Sequence, residues 1–175
     1  MPVYLYSPGD EHTSVTGGWS VTSQYGSADS ANKPTTTLTK NTDNMHYSLE
    51  AYTYNSAIKW VDAWISTANT VDVTDFDLLT VDFSSYYANS MGSSDTGQVY
   101  NSFDIEVVQN GMVVKSSRLF NALGSSVSGE VTTKTVDLSS VTGSVLIRFT
   151  SKVFNYTTSA INPYQQVYIT NVYLG

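Results

Sequence analysis

In the segment 58–65, two tryptophans and the aspartate between them are each two residues apart. If this segment is a β-strand, Trp60, Asp62 and Trp64 share one face, because successive side chains alternate across a strand. Indole rings on such a face can stack on the apolar side of a sugar while Asp62 accepts hydrogen bonds from its hydroxyls. The alternative is that both tryptophans are core and Asp62 sits at a bulge or sheet edge. Since Trp is highly buried on average, we favour this structural interpretation.

Aromatic and amide side chains also gather in two segments that we predict to be long loops, 84–97 and 154–164. Loops can present side chains that no core requires. Rings mixed with amides suit contact with a glycan or with another protein about equally, and a third interpretation is that loop tyrosines simply cover an end of the fold. The candidate ligand-binding residues are Tyr86, Tyr87 and Asn89 in the first loop and Tyr156 and Tyr164 in the second.

The sequence contains few residues at spacings that could support catalysis. The histidines are His12 and His46, and neither has a second ligand at metal spacing. A carboxylate pair across a cleft could support glycoside hydrolysis, and Asp62, Asp104 and Glu106 are available for it. However, Asp104 and Glu106 alternate with apolar residues, which is typical of the solvated face of an amphipathic strand. We therefore expect a binding protein and not an enzyme.

The composition favours neutral polar partners. Charged residues are 13% of the 175 residues, while Ser, Thr and Asn abound and there are 13 Tyr. With 8 Lys plus Arg against 15 Asp plus Glu, the net charge of −7 gives no electrostatic footprint for nucleic acid. The sequence has no Cys, no apolar run of membrane-spanning length and no visible secretion signal. We expect no membrane partner and no disulfide.

The elements that position these side chains are predicted to be β-strands. Segments rich in β-branched and aromatic residues recur between Gly, Ser, Asn and Asp, and no window keeps a helical period. The firmest hairpin is at Asn110-Gly111, a pair that supplies both positive-φ positions of a type I′ turn. Strands are predicted at 3–6, 18–22, 35–39, 45–52, 58–65, 78–85, 99–108, 112–118, 131–137, 145–152 and 166–174.

These strands suit one all-β domain over residues 1–175, an antiparallel sandwich whose terminal strands lie close enough to pair. Asp72 and Asp137 each begin an Asp-apolar-Ser/Thr corner ahead of a strand. Trp19 follows two glycines and is expected to plug one end of the core. The polar stretch 22–44 is expected to be a long connection with at most one edge strand.

Four short pieces of the chain carry a family resemblance: 4–11 (YLYSPGDE), 16–19 (TGGW), 71–76 (VDVTDF) and 167–174 (VYITNVYL). In this order they resemble galactose-binding-like jelly-roll modules, and more narrowly those of tail and other minor structural proteins of bacteriophages of Gram-positive hosts. The resemblance implies a jelly-roll virion component that docks on other virion proteins or on glycans of the bacterial surface.

Some such modules hold a structural Ca²⁺ near the chain start. Asp10 and Glu11 are the oxygen donors available there, although no EF-hand spacing surrounds them. The leading hypothesis is a virion protein that binds host-surface carbohydrate. The alternatives are a purely structural virion subunit or adaptor that contacts only other proteins and, least favoured, a polysaccharide depolymerase. Fibre-like virion proteins are often trimers, so a homo-oligomer is expected by analogy.

Overall fold

The computed structural model describes residues 1–25, 35–50, 60–89, 99–123, 126–155 and 163–175. Among the described residues, no helix is long and apolar enough to cross a membrane. The elements are β1 (Val3–Tyr6), α1 (Thr13–Thr16), β2 (Trp19–Tyr25), β3 (Thr35–Lys40), β4 (Met45–Glu50), β5 (Trp60–Thr67), β6 (Val71–Asp72), β7 (Leu78–Asn89), β8 (Val99–Gln109), β9 (Met112–Leu123), β10 (Ser126–Asp137), β11 (Ser144–Asn155) and β12 (Pro163–Leu174).

The strands form two antiparallel sheets. Sheet A has the strand order β10-β7-β12-β4-β3, and β1 pairs with the end of β12. Sheet B has the order β2-β5-β11-β8-β9, and the two-residue strand β6 pairs with the start of β11. The expected all-β antiparallel sandwich is confirmed, and β3 is the edge strand expected in the polar connection. Strand β6 was not predicted.

The core lies between the inner faces of the sheets, because each strand alternates apolar and polar side chains. In β11, Ile147 and Phe149 are fully buried, while Arg148 between them is half-buried on the outer face. Aromatic rings bridge the sheets: the Phe103 ring of sheet B lies 5.5 Å from the Tyr47 ring of sheet A and 5.8 Å from the Phe149 ring. Burying each such side chain contributes roughly 1.5–3 kcal/mol relative to leaving it exposed.

The strands nearest positions 3 and 174 pair, as expected. Val3 lies opposite Leu174 in the β1–β12 register. Beyond β12, Gly175 exchanges backbone hydrogen bonds with Leu78, at 2.9 Å and 3.0 Å. The end of β12 is therefore held by β1 and also by the start of β7.

The predicted hairpin and both predicted corners are confirmed. Asn110 and Gly111 have φ values of 52° and 78° and join the antiparallel strands β8 and β9. In the first corner Asp72 Oδ1 accepts hydrogen bonds from the Thr74 hydroxyl at 2.6 Å and from the Thr74 N–H at 3.0 Å. These bonds hold the pKa of the Asp72 carboxyl below its ordinary value. Asp137 begins the second corner, ahead of β11.

Trp19 closes one end of the core, as the sequence predicts. It is 4% exposed, its indole Nε1–H donates to the carbonyl of Leu5 at 3.1 Å, and its ring lies 5.7 Å from the Phe149 ring. A buried indole needs a partner for its N–H, and the backbone of β1 supplies one. Trp19 therefore fastens β2 of sheet B to β1 of sheet A.

Candidate functional site

Strand β5 presents Trp64 on the outer face of sheet B. Ala63 and Ile65 are fully buried, while Asp62 and Trp64 are only half-buried. The expectation that both tryptophans are core is therefore wrong for Trp64. The outer set contains the carboxylate of Asp62, whereas Ala63 and Ile65 on the inner face are aliphatic and carry no polar atom into the core.

The expected bulge or sheet edge at Asp62 is also absent. Strand β5 lies between β2 and β11, and both registers run without interruption through Asp62. Trp60 begins β5, where its backbone pairs with Phe154. The carboxylate thus lies in the interior of the sheet, beside an outward indole.

A charged network surrounds Trp64 on the neighbouring strands. The Arg148 guanidinium carbon lies 5.6 Å from the centroid of the Trp64 ring, within range of a cation–π interaction. Arg148 donates from Nε to Glu106 Oε2 at 2.7 Å, and its Nη2 lies 2.6 Å from the same oxygen. The Thr150 hydroxyl donates to that oxygen at 2.8 Å. Glu106 therefore holds Arg148 in place against the indole.

A second ion pair continues this network toward the sheet edge. Asp104 lies opposite Arg118 in the β8–β9 register, and Arg118 donates to both carboxylate oxygens, with a distance of 3.2 Å from Nη2 to Oδ2. We call Asp62, Trp64, Asp104, Glu106, Arg118, Arg148 and Thr150 together the Trp64 platform. Its guanidinium groups both have carboxylate partners.

Asp62 differs from the other two carboxylates of the platform. Its Oδ1 is buried and has no hydrogen-bond partner among the described residues. Burial raises the pKa of the Asp62 carboxyl above its ordinary value, and the negative charge of Glu106 adds to this, while the ammonium of Lys152 opposes it. The platform thus contains one carboxylate with unused acceptor capacity.

The predicted loop residues are mostly in strands and belong to the other sheet. Tyr86, Tyr87 and Asn89 lie within β7, and Tyr164 lies within β12, where its backbone pairs with Ala88. The loop assignment was wrong at these positions because the β7–β12 pairing continues through the polar stretch where the pattern weakens.

The structure therefore divides the predicted ligand-binding residues between the sheets. Trp60, Asp62 and Trp64 belong to β5 of sheet B, whereas the four residues named above belong to sheet A. Tyr156 lies outside the described residues. Whether the sheet A residues bind a ligand stays a prediction.

Sequence reasoning missed Arg148, Thr150 and Arg118 as members of the site. In the pattern Leu-Ile-Arg-Phe-Thr at 146–150, Arg148 and Thr150 alternate with apolar residues, and this alternation indicates an outer face. What the pattern cannot supply is the partner strand. Only the β5–β11–β8 order brings Arg148 beside both Trp64 and Glu106.

The expected calcium ligands do not fit a metal site. Asp10 Oδ1 accepts the backbone N–H of His12 at 2.7 Å, and Glu11 Oε2 lies 2.5 Å from Lys40 Nζ. An ammonium in contact with Glu11 repels a divalent cation. In the part of the chain that the structure describes, no three His, Asp or Glu side chains are grouped as metal ligands.

No protein family and no curated protein matches this sequence. Among solved structures, the Endo-D glycoside hydrolase domain from Streptococcus pneumoniae R6 is similar with a TM-score of 0.50 and 11% identity, over 90% of this chain and 22% of that chain. A carbohydrate-binding module of the β-sandwich superfamily has a TM-score of 0.49 and 8% identity, over 97% of this chain and 62% of that chain. The chain thus spans less than two thirds of either.

A third similar structure is the module CBM27-1 from Caldicellulosiruptor saccharolyticus in complex with mannohexaose, with a TM-score of 0.44 and 14% identity, over 99% of this chain and 96% of that chain. At such identities the likeness concerns the fold alone. The expected jelly-roll β-sandwich is confirmed, with its strands in two antiparallel sheets, and the similar structures include two carbohydrate-binding modules. The narrower resemblance to phage tail proteins stays a prediction.

Proposed function

We propose that this protein is a carbohydrate-binding module whose Trp64 platform binds a neutral polysaccharide. The observation that carries the proposal is an indole held on the outer face of a sheet by a cation and surrounded by hydrogen-bonding groups. Among the described residues no aromatic ring stacks on Trp64. An indole in water is stabilised when an apolar surface covers it, and the apolar face of a sugar ring is such a surface.

The energetics favour a ligand at this position. Full burial of a large apolar side chain gains roughly 1.5–3 kcal/mol, and a half-buried indole has realised only part of it. Because the Arg148 side chain is already held beside the indole by Glu106, it loses little conformational entropy when a sugar binds. The Asp62 carboxylate, which is half-buried, adds an acceptor for a sugar hydroxyl.

The charge arrangement favours a neutral glycan. Arg118 is paired with Asp104, and Arg148 is paired with Glu106. An anionic sugar would have to compete with these carboxylates for the guanidinium groups. A neutral chain of sugar rings meets no such competition.

The same pairs favour binding over hydrolysis. A glycosidase needs one carboxylic acid that gives up a proton and a second carboxylate across the sugar. Asp104 and Glu106 are instead held by arginine donors, and Asp62 is the remaining carboxylate of the platform. We expect no reducing-end release from any polysaccharide that the protein binds, and release that Asp62→Asn abolishes would overturn this part of the proposal.

The wider role that we propose is that of a bacteriophage virion component, in the tail, a fibre or a decoration, that recognises carbohydrate on the host surface. The order of the four family-like sequence pieces and the weakly charged, hydroxyl-rich composition support it. Mass spectrometry of purified particles is expected to detect the chain in a fixed ratio to the major capsid protein. Its absence from infectious particles would remove this role.

The binding experiment compares one aromatic residue on each sheet. Affinity electrophoresis against a panel of neutral polysaccharides and host cell-wall preparations is expected to show retardation of the wild-type chain. Trp64→Ala is expected to weaken binding at least about tenfold, equivalent to ~1.4 kcal/mol. The matched control is Tyr168→Ala, which removes an outer-face ring of sheet A and is expected to bind as the wild type does. Equal losses in the two variants would contradict the proposed site.

A second candidate function is a purely structural virion subunit that contacts only protein. The observation that favours it is an apolar tip on the β8–β9 hairpin, where Met112 is 68%, Val113 45% and Val114 38% exposed. Failure to bind any glycan, together with loss of particle incorporation in a Met112→Ser, Val113→Ser, Val114→Ser variant, would favour this function over the first.

A further inference from the structure

A separate cavity of about 310 Å³ opens where the segment after β1 meets the turn after β3. Its lining residues are Tyr6, Gly9, Asp10, Glu11, Lys40, Asn41 and Thr42. None of them belongs to the Trp64 platform. The volume is at the lower end of the range for small-molecule sites, roughly 300–1,000 Å³, so it suits one small unit and not a chain.

Tyr6 lines this cavity, and its buried hydroxyl is a donor without a partner among the described residues. The residue as a whole is 1% exposed. Burial, together with the negative charges of Glu11 and Asp43, raises the pKa of Tyr6 to about 12, so the group stays a neutral O–H near neutral pH. A buried donor without an acceptor is costly, and a ligand oxygen in the cavity would relieve that cost.

Other groups lining the cavity combine donors with acceptors. Glu11 Oε2 lies 2.5 Å from Lys40 Nζ and accepts the backbone N–H of Trp19 at 3.3 Å. An ammonium has three N–H groups and a carboxylate about four lone-pair sites, so both members of the pair retain capacity. Because the two charges compensate each other, the pair does not demand an ionic ligand.

Both sides of the cavity are fixed before any ligand arrives. Ser7 and Asp10 exchange backbone hydrogen bonds at 3.0 Å and 2.9 Å, which closes the turn that contains Gly9. On the opposite side, Asn41 donates to Asn44 from its backbone N–H at 2.8 Å and from its side-chain Nδ2 at 3.1 Å. Such preorganisation lowers the entropy that binding would otherwise cost.

We propose that this cavity is a second binding site, which takes a single neutral sugar unit, free or at the end of a chain. Adjacent sugar hydroxyls both donate and accept, so one can accept from Tyr6 while its neighbour donates to Glu11. An apolar ligand would leave the Tyr6 hydroxyl unpaired. A divalent cation would meet the ammonium of Lys40. The site is independent of the polysaccharide surface proposed above.

The test is a titration of the full chain with glucose, galactose and N-acetylglucosamine, followed by backbone amide NMR shifts. At least one sugar is expected to shift the amides of 6–11 and 40–42. Tyr6→Phe is expected to lower the affinity for that sugar about tenfold. It is also expected to leave the melting temperature unchanged or raised, because the hydroxyl that it removes has no partner in the protein.

Lys40→Met is the second variant, since Lys40 lies near the surface and contributes little to the core. This variant is also expected to bind the sugar more weakly, whereas the matched control Tyr168→Phe is expected to bind it as the wild type does. Wild-type affinity in both Tyr6→Phe and Lys40→Met, or no shift of these amides with any of the three sugars, would overturn the proposal. Trp64→Ala distinguishes the two sites, because this variant is expected to bind the polysaccharide weakly and the single sugar as the wild type does.

Discussion

The outer faces of the two sheets use their aromatic side chains in opposite ways. On sheet A, His46 and Tyr168 stack on each other with ring centroids 4.4 Å apart, and the Tyr168 hydroxyl donates to Gln166 Oε1 at 2.9 Å. On sheet B, Trp64 has the Arg148 guanidinium as its neighbour. Stacked rings satisfy each other's apolar faces, whereas the indole has a cation and no stacked ring as its described neighbour.

The polar groups of the two faces differ in the same sense. On sheet A the Asp82 carboxylate accepts from the Thr133 hydroxyl at 2.6 Å and from Asn171 Nδ2 at 3.1 Å, so neutral donors satisfy it. On sheet B, Asp104 and Glu106 are satisfied by arginines. A carboxylate held by neutral donors stabilises sheet A locally. The paired charges of sheet B also orient the indole of Trp64 that lies among them.

The largest expected effect is on the stability of the sheet B face. Arg148→Met leaves Glu106, whose side chain is 14% exposed, without its cation, and we expect a loss of about 2–3 kcal/mol in the free energy of unfolding measured with urea. Arg118 itself is 46% exposed and its partner Asp104 is 16% exposed, so Arg118→Met is expected to cost less, about 1–2 kcal/mol. A loss below about 1 kcal/mol for Arg148→Met would show that Glu106 does not depend on Arg148.

A smaller effect is expected on the sheet A face. Tyr168→Phe removes one hydrogen bond to Gln166 between neutral groups and keeps the ring against His46. The expected loss is about 0.5–1.5 kcal/mol in the same urea measurement, with unchanged polysaccharide binding. If glycan affinity falls with this hydroxyl, sheet A also contacts the ligand and the contrast between the faces fails.

The tyrosines predicted from the sequence provide a direct test of the same contrast. Replacing Tyr86, Tyr87, Tyr156 and Tyr164 together by Ala is expected to change polysaccharide affinity by no more than about threefold, ~0.6 kcal/mol, since three of them lie on the sheet away from Trp64. The melting temperature of the variant must be measured alongside. A loss as large as that of Trp64→Ala would assign the site to sheet A.

The smallest expected effect concerns pH and Asp62. Because burial raises the pKa of this carboxyl in the folded state, the charged form is disfavoured there, and folding loses stability as pH rises through that pKa. Asp62→Asn is therefore expected to raise the melting temperature at neutral pH. The difference from the wild type should shrink as pH falls through the raised pKa. A constant difference across the acidic range would mean that the charge of Asp62 is not the cause.

The strands could be predicted because alternation of apolar and polar residues at period two follows from strand geometry alone. The Asn110-Gly111 turn and the corner at Asp72 were predictable for a related reason, since each is decided by side chains within four residues. For the site, the shared face of Asp62 and Trp64 follows from spacing. Their outward direction was not predicted, because the burial tendency of Trp was given more weight than the charge of Asp62.

Sequence alone thus determined the all-β class, the hairpin and the low charge that favours a neutral partner, because these depend on local conformation and on composition. Only the tertiary structure decided that Trp64 faces outward, that Arg148 and Glu106 lie beside it, and that Tyr6 lines a cavity with Lys40. Each of these contacts joins residues far apart in the chain. Their meeting depends on the strand order and on which face packs inward, and both are set by how the whole core fills.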